Sequence, residues 1–326
     1  VAVCGEMTGG LGVFLVSVNP ETDKIEYLVD VAEALNEPPD NGHATHSKIH
    51  YCLLPADDGT LYGATHCTGP PLGHRIWRPW NCWDDPVHMF TGFHIFHYDP
   101  KSGKFEDFGV QAPNEGSRAM ALAEKRRRLY GVTYPRDHFY IYELDTNTYR
   151  DLGRIGDINP QAVWLDREEN AYTADDLGYI IKYDADSDRL LHLDVQIPHA
   201  PFRDGTHNTV YDVVPSPDGK SVYGVTWSYD SRLFRYDPYD GPEGKMHDLG
   251  RAYGSEIVDW KIFDFANHTG GLVLGDDGFL YFASYVCWKE PKGMYLIRMD
   301  TKTLKREEIG PIVADGYHTQ YISKAT

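Results

Sequence analysis

Apolar and polar positions alternate along this chain in short runs, broken at close intervals by Gly, Asp, Asn and Pro. This is the two-residue period of half-buried strands rather than the 3.6-residue period of helices. The stretch Thr45 to His66, THSKIHYCLLPADDGTLYGATH, reads as a strand, a tight turn and a second strand. His46 stands where the first begins and His66 where the second ends. A hairpin returns the chain to the end it left, so both imidazoles are expected at one sheet edge.

The same unit recurs. Its first half appears as DGTLYGAT, RRRLYGVT, EENAYTAD, DGKSVYGVT and DGFLYFAS. Its second half appears as FHIFHYDPKSGKFEDFG, FYIYELDTNTYRDLG, YIIKYDADSDRLLHLD, LFRYDPYDGPEGKMHDLG and YLIRMDTKTLKREEIG. Four short strands repeated at this period predict an all-β fold, a β-propeller of four-stranded antiparallel blades. Six units are countable. The N-terminal VAVCGEMTGGLGVFLVSVNPETDKIEYLVD lacks a first strand that the C-terminal HTQYISKA can supply, which predicts a ring closed by both termini in one blade. With no composition break, residues 1–326 read as one domain carrying an insertion at 67–92, rich in Trp, Pro and His.

Composition supports short strands, with 13% aromatic residues, 23 Tyr, 31 Gly and 20 Pro. No window approaches the length of apolar sequence that spans a membrane. A formal charge of -18 argues against nucleic acid, yet a local Arg/His cluster can still hold an anionic sugar at short range. The five cysteines form no CxxC pair, so the redox compartment is not readable, and no targeting information is present.

Blade topology predicts which residues share a face. Starts of first strands bring His46, Arg118, Gln161, His207 and His318 to one mouth. The ends of second strands and the loops after them add Glu6, His66, Tyr134, His138, Trp227, Tyr285 and Trp288, and the connections between blades add Arg154 and Arg251. A single His at a strand end is ordinarily just surface. The tyrosines of the LYG and YD motifs (Tyr62, Tyr130, Tyr223; Tyr98, Tyr183, Tyr236) recur once per blade and are expected to be structural. The mouth residues do not recur, and imidazoles converging from several blades point to a site.

At these residues the chain resembles the β-propeller polysaccharide lyases that act on uronic acids, the ulvan lyases and rhamnose-glucuronate lyases. Oligogalacturonate lyases and a propeller α-L-rhamnosidase family are more distant relatives. The resemblance covers most of the chain as architecture. It is specific at two histidines about twenty residues apart, here His46 and His66, followed by a tyrosine and an arginine about sixteen apart. That second pair fits Tyr134 with Arg150 by spacing, whereas Arg154 suits the mouth better and then has His138 as its partner. The resemblance also implies seven blades, a secreted or periplasmic location and β-elimination.

Elimination beside a uronate carboxylate needs the carboxylate neutralised, a base for the adjacent proton and an acid for the 4-linked leaving oxygen. Arginine suits the first task because its fork bonds both oxygens and keeps its charge. The catalytic candidates are therefore Arg154, with His66 or His46 as base and Tyr134 or His138 as acid. Trp77, Trp80 and Trp83 of the insertion are expected to stack sugar faces, with His207, Tyr285, Trp288 and His318 completing substrate binding. A conventional glycosidase would need two carboxyl groups, and the expected mouth offers only Glu6 clearly.

No cofactor is required by this chemistry. Cys67, His74, Cys82 and His88 form a candidate set for a structural divalent metal, zinc or calcium, and His207 with His268 or His318 could hold another ion. No nucleotide or esterase motif is present. A monomer acting on an acidic carbohydrate is expected, with neither nucleic acid nor membrane as partner. Two other readings are a rhamnosidase-type hydrolase on rhamnose-glucuronate and a propeller that only binds.

Overall fold

The structure is a computed structural model; it describes residues 2–6, 12–67, 69–74, 85–156, 160–199, 208–227, 231–254, 269–286, 291 and 293–312, of which 2–6 by backbone alone. The chain divides into two compact units, one within Val1–Asn159 and one within Pro160–Lys324.

In the first unit, β1 (Ala2–Glu6), β2 (Val13–Asn19) and β3 (Lys24–Asp30) make a three-stranded antiparallel sheet. A single turn, α1 (Val31–Ala34), follows, with the Asp30 side chain accepting from Glu33 N–H as its N-cap. Next come two four-stranded meanders. One holds β4 (Leu53–Pro55), β5 (Leu61–Ala64), β6 (Phe93–Asp99) and β7 (Lys104–Ala112). The other holds β8 (Gly116–Ala123), β9 (Arg128–Tyr134), β10 (His138–Glu143) and β11 (Thr148–Arg154).

The second unit repeats the meander three times. Its sheets are β12 (Trp164–Leu165) with β13 (Ala171–Ala174), β14 (Tyr179–Asp184) and β15 (Arg189–Gln196); β16 (Thr209–Pro215) with β17 (Val222–Trp227), β18 (Arg232–Asp237) and β19 (Lys245–Arg251); and β20 (Thr269–Leu274) with β21 (Phe279–Val286), β22 (Gly293–Asp300) and β23 (Arg306–Pro311). These six antiparallel sheets are the blades of a β-propeller, in the number that the repeat predicts. The seventh blade implied by the resemblance has no counterpart among the described residues. The closing strand expected from HTQYISKA lies outside them.

The repeat motifs have direct physical roles. In LYG, glycine sits opposite an aromatic ring on the next strand: Gly63 pairs with Phe96, Gly131 with Tyr140 and Gly224 with Phe234. A Cβ would stand 2.1, 2.3 and 2.2 Å from those rings, so the ring lies flat on bare backbone. Where the motif lacks glycine the partner is aliphatic, with Thr173 opposite Ile181 and Phe282 opposite Ile297. The motif tyrosines Tyr62, Tyr98, Tyr130, Tyr183, Tyr223 and Tyr236 are all buried, as their recurrence predicts. In two blades the aspartate of YD closes the following turn: Asp99 Oδ1 accepts from Lys101 N–H, and Asp184 Oδ1 from Ser187 N–H.

Between the second and third sheets, backbone bonds fix the edge where the candidate residues stand. Ser117 N–H donates to Thr65 O at 3.0 Å, Phe93 N–H to Glu115 O at 2.7 Å, and Tyr51 N–H to Arg118 O at 3.2 Å.

Candidate active site

β5 ends at Ala64, and Thr65 and His66 continue it in extended form, His66 N–H donating to Lys48 O at 2.7 Å. Consecutive residues of an extended chain project to opposite faces. Thr65 takes His46, whose Nδ1 is hydrogen-bonded to the Thr65 hydroxyl at 2.9 Å. His66 turns the other way, towards His50 and Tyr134, with ring centroids 5.6 and 5.1 Å distant. The two histidines thus share a sheet edge but stand in different clusters.

The His66 cluster is assembled from three places. His50 comes from the segment before β4, Tyr134 ends β9, and Arg118 lies near the start of β8. Tyr134 pairs across the ladder with Gly116, and Gly116 leaves the space that the His66 ring occupies. The Arg118 guanidinium lies 5.1 Å from the centre of the Tyr134 ring. His66 is fully buried, and neither ring nitrogen has a hydrogen-bond partner. Such a group in a folded protein calls for a functional account.

Electrostatics keep these imidazoles neutral. Burial holds His66 well below the usual histidine range, with the Arg118 and Lys48 charges adding to it. His50 is held low in the same way, by burial first and then by Arg118, Lys48 and His66. Beside the cluster, buried Glu115 accepts from Arg136 Nη1 at 2.7 Å through Oε1, and its Oε2 has no partner.

His46 is buried with Phe90 and His94, ring centroids 4.6 and 5.2 Å away, and burial, with His94 second, lowers its pKa to about 3. His138 and Arg154 face each other across β10 and β11, but His138 is half-buried there and Arg154 exposed. There His138 Nδ1 meets Asp151 Oδ2 at 2.7 Å and Arg154 Nε donates to Gly156 O at 2.9 Å. Arg150, on β11, lies 3.9 Å from Glu143 Oε1. Tyr285, half-buried on β21, pairs with Met294.

Of the candidate metal ligands, His74 and His88 stand with ring centroids 4.5 Å apart, and His88 Nδ1 is 2.9 Å from Asp85 Oδ2. The Cys67 thiol is buried and donates to Gly69 O at 3.4 Å. Trp77, Trp80, Cys82, Trp83, His207, His268, Trp288 and His318 lie outside the described residues. Among the described residues no helix is long and apolar enough to cross a membrane.

Sequence reasoning placed Arg118 at the mouth without giving it a role, and it passed over His50. The signal for His50 was the IHY alternation that puts it one hairpin arm from His66. A phenol, neutral imidazoles and a guanidinium so placed are groups that can move a proton beside a bound anion.

No family model matches the chain, and no curated protein matches it. Solved structures do match, at identities that show the fold. The periplasmic gluconolactonase PpgL of Pseudomonas aeruginosa is 14% identical with a TM-score of 0.59, over 94% of this chain and 81% of that one. Virginiamycin B lyase from Staphylococcus aureus is 11% identical with a TM-score of 0.54, over 97% and 86%. The extracellular domain of the hybrid two-component system BT4673 from B. thetaiotaomicron is 14% identical with a TM-score of 0.56; it covers 99% of this chain, which spans only 34% of that one. All three support the propeller reading.

Proposed function

We propose that the protein is a lyase that cleaves a glycosidic bond 4-linked to a uronic acid, by β-elimination, in an ulvan-type or rhamnose-glucuronate-type glycan. The observation that carries this reading is His66, buried with two unpartnered nitrogens against the ring of Tyr134. Two of the structural neighbours are named as a lyase and a lactonase, so propellers of this shape can carry enzymatic sites.

Arg118 is assigned to the uronate carboxylate, because its charge already bears on both His66 and the Tyr134 ring. Half-buried Tyr134 meets the sugar, taking part in proton removal beside the carboxylate and in proton delivery to the leaving oxygen. His66 stands behind it as the neutral acceptor. A carboxylate docked on Arg118 would cancel one of the charges that depress His66, so substrate binding itself would raise the basicity of the imidazole. Arg154 is the alternative anion holder, with His138 beside it. A secreted or periplasmic location accords with neighbours named as periplasmic and extracellular proteins.

The test is incubation with ulvan and with rhamnose-glucuronate glycans while ultraviolet absorbance is followed. A rising signal from an unsaturated uronate is expected. Free rhamnose without that signal would instead select hydrolysis, and binding without either product would select a platform.

A further inference from the structure

The cluster on the other face of Thr65 is not used by that chemistry. Glu37, which follows α1, His46 and His94 of β6 bring one carboxylate oxygen and two imidazole nitrogens within 4.8 Å of one another. His46 is 1% exposed and His94 5%. His94 Nε2 is buried with no hydrogen-bond partner, and Glu37 Oε1 lies 3.9 Å from it. Its other nitrogen, Nδ1, is held by the Asp107 carboxylate of β7 at 2.9 Å.

That arrangement is the one found around metal-bound imidazoles. A carboxylate on Nδ1 fixes the tautomer, so that the Nε2 lone pair points away from it and is made more electron-rich. Here Nε2 stands 3.9 Å from Glu37 Oε1, too far for a hydrogen bond and close enough for a cation to be shared by a lone pair and a carboxylate. His46 is compatible with the same role. Thr65 Oγ1 accepts from His94 N–H at 3.0 Å, and its second lone pair can take Nδ1–H of His46 at 2.9 Å. Nε2 of His46 is then left with the Thr91 hydroxyl at 3.2 Å, the long end of a hydrogen bond.

We propose that Glu37, His46 and His94 form a binding site for a divalent transition cation of the zinc class, with Asp107 orienting His94. Two imidazoles and one carboxylate are a zinc-type donor set that leaves a fourth position open. Bonds of about 2.1 Å in a tetrahedron place ligand atoms roughly 3.4 Å apart, so the His94–Glu37 pair closes by about half an ångström. Glu37 can supply that movement, since its side chain is 18% exposed. The site ties the segment after α1 to the sheet of β4 to β7. Magnesium and calcium, which prefer all-oxygen shells, fit it poorly.

The experiment titrates Co2+ into the chelator-stripped full chain, following visible absorption and melting temperature, for the unaltered protein, Glu37→Gln and His74→Ala. The glutamine can still accept from Asn41, which now donates to Glu37 Oε2 at 2.6 Å, so folding is preserved and is checked by circular dichroism. The expected result is a d–d band and a raised melting temperature that His74→Ala retains, with affinity weakened about 100-fold or more in Glu37→Gln. Any other pattern, including uptake that Glu37→Gln leaves intact or no uptake at all, overturns the proposal.

Discussion

Gly116 and His66 occupy one space: a Cβ built on Gly116 would stand 2.3 Å from Nδ1 of His66. The glycine is at the start of β8 and the histidine just past the end of β5, so a bare backbone in one sheet sets the position of an imidazole carried by another. Gly116→Ala is expected to push the ring off Tyr134. A displacement of about 1 Å costs on the order of 100-fold in turnover. The overpacking itself should cost only about 1–3 kcal/mol of stability. Parallel kinetic and urea-unfolding measurements check this, and unchanged turnover in a folded variant would contradict the placement of His66.

Tyr134→Phe removes the hydroxyl and keeps the ring, so packing against His66 should survive. Loss of general acid–base chemistry of this kind is expected to lower turnover about 100- to 10,000-fold. Arg118→Ala should be comparably damaging through both substrate affinity and rate, whereas Arg154→Ala should leave turnover within a few-fold. If the two arginine variants exchange these effects, the carboxylate belongs at the His138 end instead.

Stability should fall on acidification because buried imidazoles, His50 and His66 among them, are held neutral. The native pKa values of His50 and His66 lie well below the unfolded value of about 6.5, so below that pH the unfolded chain binds more protons and the folded state loses ground. Each imidazole contributes a slope approaching about 1.4 kcal/mol per pH unit once its unfolded form is protonated. Urea midpoints measured in chelator between pH 7 and pH 5 should show the decline, and His50→Gln should make it shallower. A midpoint flat across that window would mean that the imidazoles are solvated.

Gly224 and Phe234 should be energetically coupled. Gly224→Ala places a methyl group 2.2 Å from the Phe234 ring and is expected to cost about 1–3 kcal/mol. With Phe234→Ile in the same chain, part of that cost should return, because the sheets with Ile181 and Ile297 accommodate Thr173 and Phe282 opposite them. A double-mutant cycle should give a coupling of about 1 kcal/mol or more. Strict additivity would show that the ring does not rest on the glycine.

The sequence by itself determined the blades. Strand period, the LYG glycine opposite an aromatic, and the aspartates Asp99 and Asp184 that close their YD turns are all local or one hairpin apart, so the pattern is written where it acts. It also brought His46 and His66 to one edge and Tyr134 and Arg118 to the same mouth. Only the tertiary structure decided that Thr65 and His66 divide that edge into two clusters, one with Glu37 and His94 and the other with His50, Tyr134 and Arg118. Burial, lone-pair satisfaction and charge at each imidazole depend on side chains delivered by separate strands, and no local pattern records which of them meet.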